Sequence, residues 1–212
     1  MGDGLSLRDV AIMKDGAPLV ALDRHIAPGE VLSVMGPSGV GKSTLLAFVT
    51  GTLAPAFTAT GRVLLDGTDV TDTAPHRRQI GILFQDDLLF PHLSVGQNMA
   101  FGLTPGGSRV ERRARVEEAL AEVDLAGYAD RDPATLSGGQ KARVALMRML
   151  LSEPRALLLD EAFSRLDASL RAQVRDLVFQ RATSRSLPVL MVTHDADDAR
   201  AAGGEVVMLG QR

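Results

Sequence analysis

The sequence predicts an α/β fold: a largely parallel sheet flanked by helices, with a helical subdomain inserted into it. Three observations predict this. Short apolar strands alternate with helix-period segments, a glycine-rich loop joins one of those strands to a helix, and the stretch 87–154 is helical and strand-poor. The expected division of the single domain 1–212 is therefore a core from 1–86 and 155–212, with the helical part at 87–154.

Taken in order, "GEVLSVMG" (29–36) reads as a buried strand running into a glycine turn, and "KSTLLAFVTG" (42–51) as a helix closed by Gly51. "TGRVLLDGTDV" (60–70) alternates like a strand with an Asp-Gly turn, and "QIGILFQD" (79–86) is a second buried strand. In "SRVERRARVEEALAEVDLAG" (108–127), Val116, Leu120 and Val123 recur at helical spacing, and the arginines 109, 112, 113 and 115 read as a solvated helix face. "GQKARVALMRMLLSEP" (139–154) is a helix stopped by Pro154, its methionines packing into a core. Strands return with "RALLLD" (155–160), "LPVLMVTHD" (187–195) and "GEVVMLG" (204–210), and "DASLRAQVRDLVFQRAT" (167–183) is a helix.

Composition bounds the function. With 45% apolar and 23% charged residues, the chain has the make-up of an ordinary globular protein. A net charge of -3 and a pI near 5.8, with no basic stripe, give no support to a nucleic-acid partner. The absence of cysteine excludes disulfides and thiolate metal sites and fits a cytosolic chain. The opening "MGDGLSLRDV" lacks the cationic start and apolar run of a signal peptide, and it does not give a full myristoylation pattern. No stretch approaches the roughly 18 apolar residues that span a bilayer, so a membrane role requires another chain to do the spanning.

The chemistry begins at "GPSGVGKST": Gly36, Pro37, Ser38, Gly39, Val40, Gly41, Lys42, Ser43 and Thr44. Glycines let the backbone wrap around phosphate, and successive N–H groups and the helix N-terminus then face the anion. Lys42 adds a positive charge for the β- and γ-phosphates, and the Ser43 hydroxyl is a hard ligand for Mg²⁺. ATP and Mg²⁺ are the expected cofactors. At the end of "RALLLDE", Asp160 and Glu161 are adjacent carboxylates, and neighbours on a strand point to opposite faces. They are therefore expected to do different work: Asp160 in the Mg²⁺ shell, Glu161 as general base or orienting group for water. A second glycine-rich turn, "TLSGGQ" (135–140), opens a helix and raises the question of a second anion site.

With these motifs the sequence resembles the ABC-transporter ATPase family over nearly its whole length. "GPSGVGKST" resembles its Walker A motif, "RALLLDE" its Walker B motif and "TLSGGQ" its signature motif. Gln85 in "ILFQD" resembles the Q-loop glutamine, "SRLD" (164–167) the D-loop and His194 in "VTHD" the switch histidine. The resemblance implies a P-loop NTPase fold, with a RecA-like core, an antiparallel β-subdomain and an inserted α-helical subdomain. It implies an ATPase that powers a membrane transporter. Glu161, His194 and Gln85 would be catalytic, Ser43, Gln85 and Asp160 would hold the metal, and Ser137, Gly138, Gly139 and Gln140 would complete the ATP site of a second copy. Partners would be a head-to-tail homodimer, transmembrane permease subunits and a periplasmic or extracellular substrate-binding protein, placing the chain peripherally at the cytoplasmic face of the inner membrane. "LFQDDLLFPHLSVGQNMAFGL" is similar to importers for polyamines, iron, thiamine, molybdate and sulfate, and its Gln85–Phe101 region would receive a cytoplasmic helix of the permease. The chain resembles the short form, without a C-terminal regulatory domain. A soluble ABC ATPase acting on nucleic acid or ribosomes is the alternative, although no fused second unit or coiled coil is present.

Three departures stand out. No aromatic occupies "AIMKDGAPL", where the family stacks one on adenine, so Met13 would cover the base through a sulfur–ring contact. Ala162 stands where proline usually follows the glutamate. Arg165 replaces a commonly small D-loop residue.

Overall fold

The computed structural model describes residues 3–210. The chain forms two compact units. One takes the chain up to Ile82, Arg155–Glu161 and everything from Phe179 onward; the other takes Leu83–Pro154 and Ala162–Val178. Residues 162–178 thus group with the helical stretch rather than with the strands on either side of them.

The first unit contains two sheets. Strands β1 (Leu5–Lys14) and β2 (Ala17–Ile26) form an antiparallel hairpin. Its turn, Asp15-Gly16, has φ of 51° and 78°, the positive pair that a two-residue hairpin requires. β4 (Phe57–Leu65) pairs antiparallel with the other edge of β1 and carries the short β5 (Thr68–Asp69), giving the order β2-β1-β4-β5. β1 and β2 were not anticipated as strands, although the alternation around Asp15-Gly16 carried the signal.

The second sheet has the order β6-β7-β8-β3-β9, built from β3 (Val31–Met35), β6 (Ile80–Phe84), β7 (Ala156–Asp160), β8 (Val189–Thr193) and β9 (Glu205–Met208). β8 runs parallel to both β7 and β3, and β9 parallel to β3. β7 and β8 are apolar at almost every position because both their faces are covered. Helix α1 (Lys42–Thr50) follows β3 and ends at Gly51, which lies in the left-handed region at φ 77°. Leu45, Leu46 and Val49 of α1, Val34 and Leu190 of the parallel sheet, and Leu5, Leu7 and Ile12 of the antiparallel sheet share one core. α6 (Ala196–Ala202) follows β8 with Asp195 as its N-cap.

The second unit is built on α2 (Val95–Gly102), α3 (Arg109–Ala121), α4 (Gly138–Leu150) and the first part of α5 (Ala168–Ser184). α2, α3 and α4 all open with a reciprocal serine capping box: Ser94 with Gln97, Ser108 with Glu111, Ser137 with Gln140. Met99, Val116, Leu120, Leu125, Leu146 and Phe163 are buried among them. One expectation is corrected here. Arg112 is not part of a solvated face, because its guanidinium turns back to donate to the carbonyls of Ala100, Thr104 and Gly106.

Candidate functional site

The glycine-rich loop leaves the end of β3 and becomes α1, and its shape is fixed by what lies behind it. Gly41 has φ 104°, and a Cβ there would lie 2.6 Å from Val20 Cγ2 and 2.9 Å from Leu19 Cγ. A side chain is excluded by both conformation and space, so β2 presses the loop into its wrapped form. Gly41 is also the N-cap of α1 and supplies no side-chain hydrogen bond, so the first amides of the helix are left for an anion.

Lys42 is 6% exposed and donates to the carbonyls of Gly36 at 2.8 Å and Pro37 at 3.1 Å. Its Nζ lies 3.7 Å from Glu161 Oε1. The Ser43 hydroxyl donates to Asp160 Oδ1 at 3.1 Å. On the other side of Glu161, His194 Nδ1 lies 3.2 Å from Oε2. The first unit therefore brings Gly36–Thr44, Asp160, Glu161 and His194 together from three places in the sequence.

The expected opposition of the two carboxylates is overturned. β7 ends at Asp160, and Glu161 leaves the strand at φ 48° with its amide donating to Val192 O at 3.0 Å. Strand alternation stops at that point, so both carboxylates converge on the loop: Asp160 beside Ser43, Glu161 beside Lys42. Burial holds the Asp160 carboxyl above the ordinary carboxylate range; the charge of Glu161 raises it further, while the Ser43 hydrogen bond and Lys42 oppose the rise. Ser43 and Asp160 offer two hard oxygens side by side. This suits Mg²⁺, which takes few protein ligands and completes its shell with phosphate and water. No cluster of three or more His, Cys, Asp or Glu side chains suited to a metal occurs among the described residues.

Gln85 and residues 137–140 belong to the second unit. Gln85 is exposed just beyond β6. Ser137 caps α4 by accepting from Gln140 N at 3.3 Å, while Gln140 Oε1 accepts from Ser137 N at 3.0 Å. Gly139 is buried, and a Cβ there would come within 2.3 Å of Leu170 Cδ1. The S-x-x-Q spacing signals this capping box in the sequence, and that signal was missed. Met13 lies on β1, which pairs with the strand behind Gly41, and is 37% exposed.

A strand, an uncapped glycine loop with a buried lysine, and a carboxylate pair at the end of a parallel strand one place beyond its neighbour define a phosphate-binding nucleotide hydrolase. Comparison with known proteins narrows the class. The ABC transporter family matches residues 19–164. An uncharacterized ABC transporter ATP-binding protein of Escherichia coli (strain K12), YnjD, is 49% identical over 93% of this chain and 91% of its own length. The thiamine import ATP-binding protein ThiQ of Yersinia pseudotuberculosis is 44% identical over 92% of this chain and 81% of its own. The Fe(3+) ions import ATP-binding protein FbpC of Pasteurella multocida is 43% identical over 89% of this chain, which spans only 53% of that relative. The chain belongs to the ABC transporter family and is one of its ATP-binding, ATP-hydrolysing subunits.

Proposed function

We propose that two copies of this chain clamp two MgATP molecules head to tail and so power a membrane importer. The observation that carries the reading is the convergence of Lys42, Ser43, Asp160, Glu161 and His194 on one loop. The amides at the start of α1 and Lys42 bind the β- and γ-phosphates, and Ser43 and Asp160 hold Mg²⁺, with Gln85 as a further oxygen ligand. Glu161 takes up or directs the proton of the attacking water, and His194, whose Nδ1 lies 3.2 Å from Glu161 Oε2, orients it and reaches the γ-phosphate. Residues Ser137–Gln140 of the second copy close the site from the far side, where the helix start at Gly138 adds a further set of amides. Bound γ-phosphate favours the closed pair; its release lets the pair open.

Import is supported by the names of the thiamine and iron relatives. No helix among the described residues is long and apolar enough to cross a membrane, so the spanning part falls to permease subunits, and this chain sits against them at the inner membrane's cytoplasmic face. The docking face lies on the second unit, where Phe84, Leu88 and Phe101 are 44, 57 and 69% exposed. Leu88 is held at φ 46°, a costly conformation for leucine, by Arg148, which donates to its carbonyl at 2.8 Å. Exposed apolar side chains, Phe101 among them packed against Phe90, fit a partner helix laid across this face. A periplasmic or extracellular substrate-binding protein completes the system.

The test is Glu161→Gln. Hydrolysis should slow by a factor on the order of 10² while ATP binding persists and an ATP-bound dimer accumulates. Turnover at the parent rate would remove Glu161 from the mechanism.

A further inference from the structure

Arg165 stands four residues after Glu161, in a turn where a large cation has no evident use. Its guanidinium is ion-paired with Asp86, 79 residues away and next to Gln85. Both partners are about half exposed, and an isolated surface pair of that kind contributes little. This pair differs because both its ends are anchored. On one side, Phe163 is 2% exposed, and Asp167 caps the start of α5 by accepting from Leu170 N at 3.1 Å. On the other, Arg148 of α4 donates to the carbonyls of Asp87 and Leu88 and lies over the Phe90 ring, fixing the backbone just beyond Asp86. Leu170 of the same 163–170 segment fills the space that a side chain at Gly139 would need. One short segment is therefore tied at Arg165 to the Gln85 stretch and at Leu170 to the glycine turn of α4, all within the second unit.

We propose that Arg165 and Asp86 form a charge latch that keeps the 164–167 turn in step with Gln85, making Arg165 a positioning residue for hydrolysis. The inference rests on the reading that Gln85 works at the bound nucleotide. When Gln85 engages, the latch carries the turn with it, and Leu170 transmits that placement to the glycine turn facing the second copy. Asp87, the next residue along, lies within the field of Lys141 and Arg148 as well as of Asp86. Other charges therefore lie along this stretch, so the test must isolate the Arg165–Asp86 pair rather than the total charge.

A double-mutant cycle on the full chain does this, using Arg165→Asp, Asp86→Arg and the two together, with steady-state ATP hydrolysis and thermal melting as readouts. Each single reversal should lower kcat about two- to five-fold, with KM for ATP within two-fold of the parent and melting unchanged. The double reversal should recover most of the lost turnover. Single variants at parental rate, or a double variant whose loss is the product of the two single losses, would overturn the latch. Gln85→Ala separates the two ideas. Parental turnover in that variant sinks the Gln85 reading, whereas an additive charge cycle sinks the latch even when Gln85→Ala is slow.

Discussion

Gly102, the last residue of α2, gives the sharpest structural prediction, because two general rules oppose each other there. Its φ is not positive, so alanine is conformationally allowed and should stabilise a helix by up to about 1 kcal/mol, less at a helix end. The steric term runs the other way. A Cβ at Gly102 would lie 1.9 Å from the carbonyl oxygen of Arg148, more than 1 Å inside normal contact, and the obstacle is backbone that cannot swing aside. α2 and α4 would have to separate where they cross, at an overpacking cost of about 1–3 kcal/mol. Sterics win, and Gly102→Ala should lower stability by about 1–2 kcal/mol. In urea, with a slope of about 1–3 kcal/mol per molar, the midpoint should fall by about 0.5–1 M. Gly138→Ala is the matched control, since a Cβ there meets nothing within 4 Å and its midpoint should hold or rise slightly. A midpoint for Gly102→Ala equal to or above that of Gly138→Ala would refute the claim that close helix packing, not propensity, fixes glycine at this position.

Two further outcomes follow from the second unit. Burial holds the Asp87 carboxyl above its ordinary 3.8, so ionised Asp87 costs the folded state stability; the cost is absent below 3.8 and complete once pH exceeds the raised folded value. Asp87→Asn should therefore melt like the parent below 3.8 and higher than the parent at pH 7, and a lower melting temperature at pH 7 would contradict the sign. Phe101→Asp should leave folding and nucleotide binding intact but weaken association with permease-containing membranes about ten-fold or more, as loss of an aromatic anchor does. Unchanged cosedimentation would move the docking face elsewhere.

Local chemistry made much of this molecule legible in the sequence. The strand, glycine loop and helix from 29–51 form one contiguous unit, and each part reports the next, so β3, Gly36–Thr44 and α1 were read directly. The β1–β2 hairpin carries an equally local signal in Asp15-Gly16, whose positive φ values close the turn. The carboxylates show where periodicity fails. Strand alternation holds only while the strand lasts, and a positive φ at Glu161 turns two supposedly divergent side chains onto one loop. Ser137 and Gln140 read as ligand groups, whereas the structure also engages them as each other's caps. Arg165 stands out in the sequence only as a departure from a commonly small D-loop residue. Its partner, 79 residues earlier, follows from tertiary packing and from no local pattern.

In the proposed dimer two copies share ATP, with Lys42 of one facing Ser137 of the other. The most direct measurement is analytical ultracentrifugation of the Glu161→Gln chain, with and without MgATP and with and without Ser137→Arg in the same chain. The Glu161→Gln chain should sediment as a 22.5 kDa species alone and at twice that mass with MgATP. Adding Ser137→Arg should hold it at the single mass while a fluorescent ATP analogue still binds. A single mass at saturating MgATP, or a dimer that forms despite Ser137→Arg, would contradict the shared site.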